Sequence, residues 1–421
     1  MLGTSGGTVE MLRYAKSIGV YTIVTDYLEP AQSRGKQIAD EYWMISTADV
    51  DLLEQKCLKE NITAVFAGVS EFNLDRAFEL CERLGLPFYC SREAWNCSRS
   101  KIRFKKACRQ YGVPVAEDYI LSESPSGEAL SGIRYPVVVK PDDLSASLGM
   151  SYCHNREELI RGYQTARSMS EDPHILIEHM MQGREWGIYY VLAKGNIRPI
   201  CVDEELFVPE HLSNLCIFDT TVTDCVEDIL AEVNPYMEDL LEGIGASEGV
   251  AWVELMQDTD RHFYVLEMGY RMSGDLIEKT FPYVMNFDPY QWMINLALGG
   301  TSSPDDLPAP LEHMPEKCGS TYWIRASREG TIVEIQGLDD LNAHPDIDVS
   351  LYLQPGQQVS YRQVMGIISI RSNDCDKLCE VLLMINATLH ILNERNDDIF
   401  IRYTDYGNLK QTYENGMKRR Y

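Results

Sequence analysis

Two apolar runs near residue 260 each carry one glutamate. Residues 250–256 (VAWVELM) and 263–269 (FYVLEMG) are separated by the polar segment 257–262 (QDTDRH), a pattern that predicts a β-hairpin. A carboxylate within an apolar strand is costly to bury without a counter-charge. Glu254 and Glu267 are therefore expected to share a divalent cation or, as the alternative, to face water at a sheet edge. Mg²⁺ favours one or two carboxylates together with substrate phosphates.

Two apolar runs further upstream end in charged residues. Residues 135–141 (YPVVVKP) end near Lys140, and residues 175–178 (ILIE) end at Glu178, as expected of buried strands. The segment 142–149 (DDLSASLG) consists largely of small residues, so its backbone N–H groups can approach an anion closely. The pattern predicts an anion-binding loop that follows a lysine-bearing strand.

Helical and strand patterns alternate in the N-terminal part of the chain. Residues 21–26 and 64–69 are predicted strands, and residues 52–60 and 73–84 have the spacing of amphipathic helices. This alternation predicts right-handed βαβ units on an open parallel sheet, which we assign to residues 1–95.

A further helix is predicted directly after this N-terminal part. Ser100 and Lys101 open it, and Tyr111 and Gly112 close it, with the glycine as its C-terminal cap. The helix therefore begins with a lysine at its first turn.

The last part of the chain has a different pattern. Residues 302–315 are rich in proline and acids and predict a linker. Residues 320–326 and 331–335 flank a turn at 327–330, which predicts another hairpin. Residues 301–421 are therefore expected to form a linker and a small α+β domain.

Length and charge narrow the class of protein. A chain of 421 residues is too long for one core and suggests about two to four domains. Its formal charge of −26 would repel nucleic acid phosphates and anionic membranes. The twelve cysteines are scattered, apart from Cys375 and Cys379, and are expected to be reduced. With neither a signal-peptide pattern nor a bilayer-length apolar run, the expected location is the cytoplasm.

This ordered set of charged strands and loops resembles the ATP-grasp superfamily of ADP-forming ligases over roughly residues 1 to 300. The resemblance implies an α/β and α+β multidomain fold. It places an open parallel α/β domain at 1–95, a two-lobed ATP-grasp nucleotide-binding and catalytic domain at 96–300, and a small α+β domain within 301–421.

The resemblance also implies roles on the phosphate side of the site. Lys101 matches the first nucleotide-binding lysine of the family, and Lys140 matches the second, which reaches the ATP phosphates. Ser145, Ser147 and Gly149 match the flexible loop that covers those phosphates.

Four residues match the part of the family site that holds the nucleoside. Glu178 matches the hinge acid that reads the adenine amino group, and His179 and Met181 match the flanking hinge positions. Glu185 matches the glutamate that lies near the ribose.

The metal strand departs from the family pattern at one position. Glu254 and Glu267 match the magnesium ligands, and Arg271 matches the arginine that follows them. The family usually has Glu-x-Asn-x-Arg here, with the Asn as a further metal ligand, whereas this chain has Gly269 at that position. Asp275 is a candidate substitute ligand.

The function implied by the resemblance is an ATP-dependent, Mg²⁺-dependent, ADP-forming ligase, with Mn²⁺ as an alternative ion. It would activate a carboxylate as an acyl phosphate and join it to an amine, with Lys140 and Arg271 as catalytic residues. The expected partners are ATP and small-molecule carboxylate and amine substrates, with a homodimer as an open alternative and neither nucleic acid nor a membrane. Two other functions stay open. One is a carboxyphosphate-forming enzyme of the carbamoyl-phosphate synthase or purine carboxylase type, and the other is a non-catalytic ATP-binding protein.

Overall fold

The computed structural model describes residues 1–121, 130, 132–144, 148–208 and 215–420. Helices and several sheets make up these ranges, which confirms the predicted α/β and α+β class. Ser145 and Ser147 lie outside the described residues, so their roles stay predictions. No helix in the described ranges is both long and apolar enough to cross a bilayer.

The N-terminal part alternates short strands with helices, as its pattern predicts. Its elements are α1 (Thr8–Ser17), β1 (Ile23–Thr25), α2 (Arg34–Ile38), β2 (Glu41–Trp43), α3 (Val50–Lys59), α4 (Glu71–Leu84) and α5 (Arg92–Arg99). β1 and β2 pair in parallel, and isolated parallel bridges join Leu2 to Thr25 and to Ala67. The strand predicted at 64–69 is therefore not formed as a continuous strand, and only Ala67 makes a bridge, to Leu2.

A small four-stranded sheet follows. The elements of this region are α6 (Lys101–Tyr111), β3 (Asp118–Leu121), β4 (Val137–Pro141), β5 (Ser151–Cys153), α7 (Arg156–Met169) and β6 (Ile175–His179). The strands pair antiparallel in the order β3-β6-β4-β5, and α7 packs on them. Val137, Val139, Leu159 and Ile177 belong to a hydrophobic cluster separate from the main core. We call the unit formed by β3–β6 and α7 the small lobe.

The next segment supplies most of a larger sheet. Its elements are β7 (Glu185–Ala193), β8 (Asn196–Phe207), β9 (Cys216–Thr220), α8 (Val226–Glu232), α9 (Asn234–Gly243), β10 (Gly249–Gln257), β11 (Phe263–Gly269), α10 (Phe281–Val284) and α11 (Pro289–Ala297). The predicted hairpin of β10 and β11 is confirmed.

The last segment completes that sheet and forms another. Its elements are β12 (Cys318–Arg325), β13 (Gly330–Gln336), α12 (Leu338–Asn342), β14 (Ile347–Leu351), β15 (Gln358–Val359), β16 (Val364–Ser372), α13 (Cys375–Thr388), β17 (His390–Asn393) and α14 (Tyr406–Arg420). The eight-stranded sheet has the order β11-β10-β7-β8-β9-β12-β16-β14, and a three-stranded sheet has the order β15-β13-β17. The larger sheet continues across residue 300, and the two predicted domain boundaries stay predictions.

The hairpin expected around residues 327–330 is wrong. β12 lies in the eight-stranded sheet, whereas β13 pairs with β15 and β17. The two strands that flank the segment 327–330 pair with partners in different sheets.

One face of the eight-stranded sheet is acidic. Direct cross-strand partners in an antiparallel sheet project to the same side. Glu254 lies opposite Glu267, Glu185 lies opposite Glu205, and Glu205 lies opposite Asp219. We call this side, which carries these five carboxylates, the acidic face.

Candidate active site

The two glutamates of the β10–β11 hairpin face each other across the strand pair. Among the described residues, neither Glu254 nor Glu267 has a hydrogen-bond or ion-pair partner in the protein. Burial, reinforced by the charges of Glu267 and Glu185, raises the pKa of Glu254 well above its usual range. Two adjacent carboxylates without a direct ion pair in the described ranges fit a divalent cation, and Glu254 and Glu267 would hold it. Such an ion would neutralise charge on a bound phosphate.

A buried ion-pair network lies on the small-lobe side. Glu178 pairs with Lys140 and, at 2.6 Å, with Lys105. Burial alone would raise the pKa of Glu178, but the two lysines lower it to about 2. The Glu178 carboxylate is thus already held by two cations. Each of its oxygens has a further lone pair that could accept from an adenine amino group, and that role stays a prediction.

Lys105 was missed by the sequence analysis. It lies one helical turn after Lys101 on α6, and it also donates to the backbone carbonyl of Val265 at 3.0 Å. The spacing of four residues was a readable signal that both lysines share one face of the helix. Its buried position was not readable, because it depends on the packing of α6 against β11.

The first turn of α6 is tied to the start of the predicted phosphate loop. Lys101 donates to the carbonyl of Leu144 at 2.6 Å, while Asp142 accepts from Ser100 Oγ at 2.7 Å and from the N–H of Ile102 at 2.8 Å. Gly149, after the part of this loop that is not described, has a φ of +73°, which favours glycine. The contacts hold Lys101 beside the loop that was predicted to cover phosphates.

A cleft of about 730 Å³ brings most of the predicted residues together. Those that line it are Lys101, Lys140, Glu178, His179, Met181, Glu185, Glu254 and Glu267. The cleft lies between the small lobe and the acidic face. One wall thus offers ammonium groups to a polyphosphate, and the other offers carboxylates to a metal ion.

The hinge residues lie where β6 ends. His179 Nε2 is 3.0 Å from Asp258 Oδ2, and Met181 is buried at the cleft wall. Glu185 begins β7, and burial raises its pKa to about 7. These positions agree with a nucleoside site, although the individual roles stay predictions.

Arg271 lies beside the cleft rather than in its lining. Its guanidinium pairs with Glu71 at 3.0 Å and lies 5.2 Å from the ring centroid of Trp252. Glu71 also pairs with Arg99 and lines a smaller recess together with Lys101 and Glu267. Arg271 therefore adjoins this recess, and contact with a phosphate would require it to exchange Glu71 for that ligand.

Trp252 explains the glycine in the metal strand. Gly269 lies directly across from Trp252, and a Cβ atom on Gly269 would lie 2.3 Å from the indole Nε1. The indole therefore occupies the space that a side chain at position 269 would need. Asp275 is not part of the cleft lining and accepts hydrogen bonds from Ser273 Oγ, the N–H of Ile277 and Tyr189, so its role as a substitute ligand stays a prediction.

Together these features define a two-lobed protein with a cleft suited to a metal-bound polyphosphate. The family model of the ATP-grasp domain matches residues 133–279. The chain therefore contains a segment that matches the ATP-grasp domain, which confirms the resemblance seen in its sequence.

Individual relatives agree with the match to the ATP-grasp domain. D-alanine–D-alanine ligase B of Pseudomonas putida is 28% identical over 196 residues, which are 45% of this chain and 60% of that protein. The chain thus spans about 60% of the length of the first curated relatives that it matches.

Solved structures share the fold over nearly the whole chain. A biotin carboxylase from Campylobacter jejuni has a TM-score of 0.76 and 18% identity, covering 99% of this chain and 98% of that one. An L-amino acid ligase from Bacillus licheniformis has a TM-score of 0.75 and 17% identity, covering 93% and 98%.

Proposed function

We propose that this protein is an ATP-dependent, Mg²⁺-dependent, ADP-forming ligase that joins a carboxylate to an amine. The observation that carries the proposal is a cleft in which Glu254 and Glu267, without a direct partner among the described residues, lie opposite Lys101 and Lys140. Relatives named as a D-alanine–D-alanine ligase and an L-amino acid ligase support the same reaction class.

The charges in the cleft suit phosphoryl transfer to a carboxylate. Transfer of a phosphoryl group requires little covalent chemistry from the protein, but the group is strongly negative. Catalysis therefore depends mainly on positioning the reactants and neutralising their charge. Lys101 and Lys140 would bind the phosphates, and Glu254 and Glu267 would hold the metal. The amine then displaces phosphate from the acyl phosphate, so the protein itself supplies no nucleophile.

The small lobe would protect that intermediate from water. Because its core is separate from the main core, it can move as a unit against the acidic face. Closure would bring the ends of the predicted phosphate loop, Leu144 and Gly149, over the phosphates and exclude solvent.

The test is a screen for ADP and phosphate release from Mg²⁺-ATP with pairs of small carboxylates and amines. We expect release that needs both substrates, together with a condensed product by mass spectrometry. Glu267→Gln should abolish turnover and leave the circular dichroism spectrum unchanged. Full activity in this variant would contradict the metal role, and bicarbonate-dependent release without an amine would instead favour a carboxyphosphate enzyme.

A second function, ATP binding without turnover, is favoured by one observation. Trp252 fills the space of a side chain at position 269, which leaves two carboxylates at the predicted metal position. Nucleotide-dependent thermal protection without phosphate release for any substrate pair would support this alternative.

The domain division, the location and the oligomeric state are also proposals. We retain the division at residues 95 and 300, a location in the cytoplasm, and a homodimer as an alternative to a monomer. The unpaired state of all twelve cysteines is consistent with a reducing compartment. Light scattering would decide the oligomeric state.

A further inference from the structure

The cleft has an acidic end in which Glu185 alone has a predicted role in ATP binding. It is lined by Glu185 and Glu205, which lie opposite each other on β7 and β8, and by Cys216 and Arg325. The buried Asp219 is not part of this lining but lies opposite Glu205 on β9. The Cys216 thiol donates to Asp219 at 3.0 Å. One ligand-type atom each from Glu205, Cys216 and Asp219 lies within 4.8 Å of the others.

The negative charge at this end is not balanced by the protein. Among the described residues, Glu185 and Glu205 have no hydrogen-bond or ion-pair partner. Within the residues that the structure describes, Arg325 is the only cation in the lining at this end, and its Nε donates to the carbonyl of Cys216 at 2.9 Å. When all three carboxyl groups are ionised, their charge exceeds that of the one guanidinium by two. Ribose hydroxyls are neutral, so a ribose near Glu185 would not change this balance.

Burial makes this imbalance costly. It raises the pKa of Asp219 to about 8 and, together with Glu185 and Asp219, raises the pKa of Glu205 well above its usual range. These carboxyl groups therefore favour the neutral form until a cation binds, and a phosphate would be repelled here.

An unpartnered hydroxyl lies next to these carboxylates. Thr321 is completely buried, its Oγ1 has no hydrogen-bond partner in the part of the chain that the structure describes, and it lies directly opposite Asp219 in the sheet. Cross-strand partners share a face, so the hydroxyl lies beside Asp219 on the acidic face. Asp219 is held in place by the indole N–H of Trp323 at 2.5 Å. A fixed carboxylate with a free acceptor beside it suits an ammonium group, which has three donors.

We propose that the acidic end of the cleft binds the amine substrate, and that this substrate carries two protonated amino groups. The inference rests on the proposed ligase function and adds the class of its second substrate. Two ammonium groups would neutralise the two uncompensated charges. One amine would lie among Glu205, Cys216 and Asp219, and the other would lie toward Glu185 and the proposed acyl phosphate.

Both a simple diamine and a diamino acid carry two protonated amino groups. Arg325 lines the same end of the cleft and would pair with the carboxylate of a diamino acid. Arg325→Met should therefore weaken binding of a diamino acid and spare a simple diamine.

The experiment is calorimetric titration of the full-length protein, without nucleotide, with 1,4-diaminobutane, ornithine, butylamine and alanine. We expect one or both dications to bind roughly tenfold or more tightly than either monoamine. Glu205→Gln and Asp219→Asn should each weaken dication binding by roughly tenfold or more, because each removes one partner of a desolvated charge pair. Glu329→Gln, which removes the same charge from an exposed turn, is the matched control and should bind like the parent protein.

Two results would overturn the inference. One is equal affinity for monoamines and dications, or unchanged dication affinity in both Glu205→Gln and Asp219→Asn. The other is failure of every amine to bind while Co²⁺ gives a thiolate charge-transfer band that Cys216→Ser removes, which would make this end a metal site. The assay needs no turnover, so dication binding without ADP release would count against the ligase proposal and leave the subsite intact.

Discussion

At the scale of single residues, the tight contact between Gly269 and Trp252 has a measurable consequence. A methyl group at position 269 would overlap the indole nitrogen, and overpacking of a rigid site typically costs about 1–3 kcal/mol. We predict that Gly269→Ala lowers the free energy of unfolding by about that amount in urea denaturation. The double variant Trp252→Leu, Gly269→Ala should lose less than the sum of its single changes. Strictly additive losses would argue that the two positions do not touch.

The Glu178 network gives a prediction about acid stability. The pKa of Glu178 is about 2 in the folded protein, below its ordinary value of 4.5, so the carboxylate stabilises the fold above pH 4.5. That contribution is lost as the pH falls from 4.5 towards 2. We predict that Glu178→Gln destabilises the protein by about 3–5 kcal/mol near neutral pH, because Lys105 and Lys140 lose their shared counter-charge.

The pH dependence supplies the check. The difference in unfolding free energy between parent and Glu178→Gln should be constant above about pH 5 and should shrink as the pH falls through that window. If the glutamine variant proves too unstable, Glu178→Asp with a matched Lys105→Met variant gives the same comparison. A difference that does not vary with pH would contradict the lowered pKa.

Residue identities could be predicted from sequence better than residue contacts. Lys101, Lys140 and the two metal-strand glutamates were identified because each ends or opens a strongly patterned segment. The pairing of Arg271 with Glu71 joins residues two hundred positions apart, and nothing local to either residue encodes it. In the same way, the contact between Trp252 and Gly269 cannot be predicted until the register of β10 and β11 is known.

At the scale of elements, local pattern identified strands but not always their partners. The β10–β11 hairpin follows from two apolar runs and a short polar connection, so the sequence alone predicts it. β12 and β13 carry the same kind of signal, yet β13 pairs with β17, which lies at residues 390–393. A turn fixes a reversal of the chain, whereas the choice of sheet depends on hydrophobic surface supplied from elsewhere.

The separate core of the small lobe predicts an element-specific response to nucleotide. A unit with its own small core opens more readily than one built into the main core. We predict that Mg²⁺-ATP slows amide hydrogen exchange in β4, β5 and β6, while the strands β12 and β16 change little. The measurement is exchange followed by mass spectrometry, with Lys140→Ala as the variant that should lose the protection. Uniform protection of both sheets would show that the lobe does not move separately.

At the scale of the whole molecule, net charge and local charge act in opposite directions on an anionic ligand. The chain carries a formal charge of −26, whereas the cleft offers Lys101 and Lys140 at one wall. Repulsion by distant charges is screened beyond about 10 Å at roughly 0.1 M salt, while contacts within the cleft are screened much less. The approach of the ligand and its final binding should therefore respond differently to salt.

We predict that the association rate constant of Mg²⁺-ATP rises as ionic strength increases from about 10 mM to about 150 mM, since the long-range repulsion is removed. Stopped-flow fluorescence with a labelled ATP analogue measures this rate. Lys140→Ala should bind Mg²⁺-ATP more weakly, but its association rate constant should rise with ionic strength as steeply as in the parent protein. The salt dependence comes from the charge of the whole surface, whereas the affinity depends on contacts within the cleft. A rate that falls with salt would mean that the cleft lysines govern the approach as well, so that the local positive field extends beyond the mouth of the cleft and outweighs the charge of the rest of the protein.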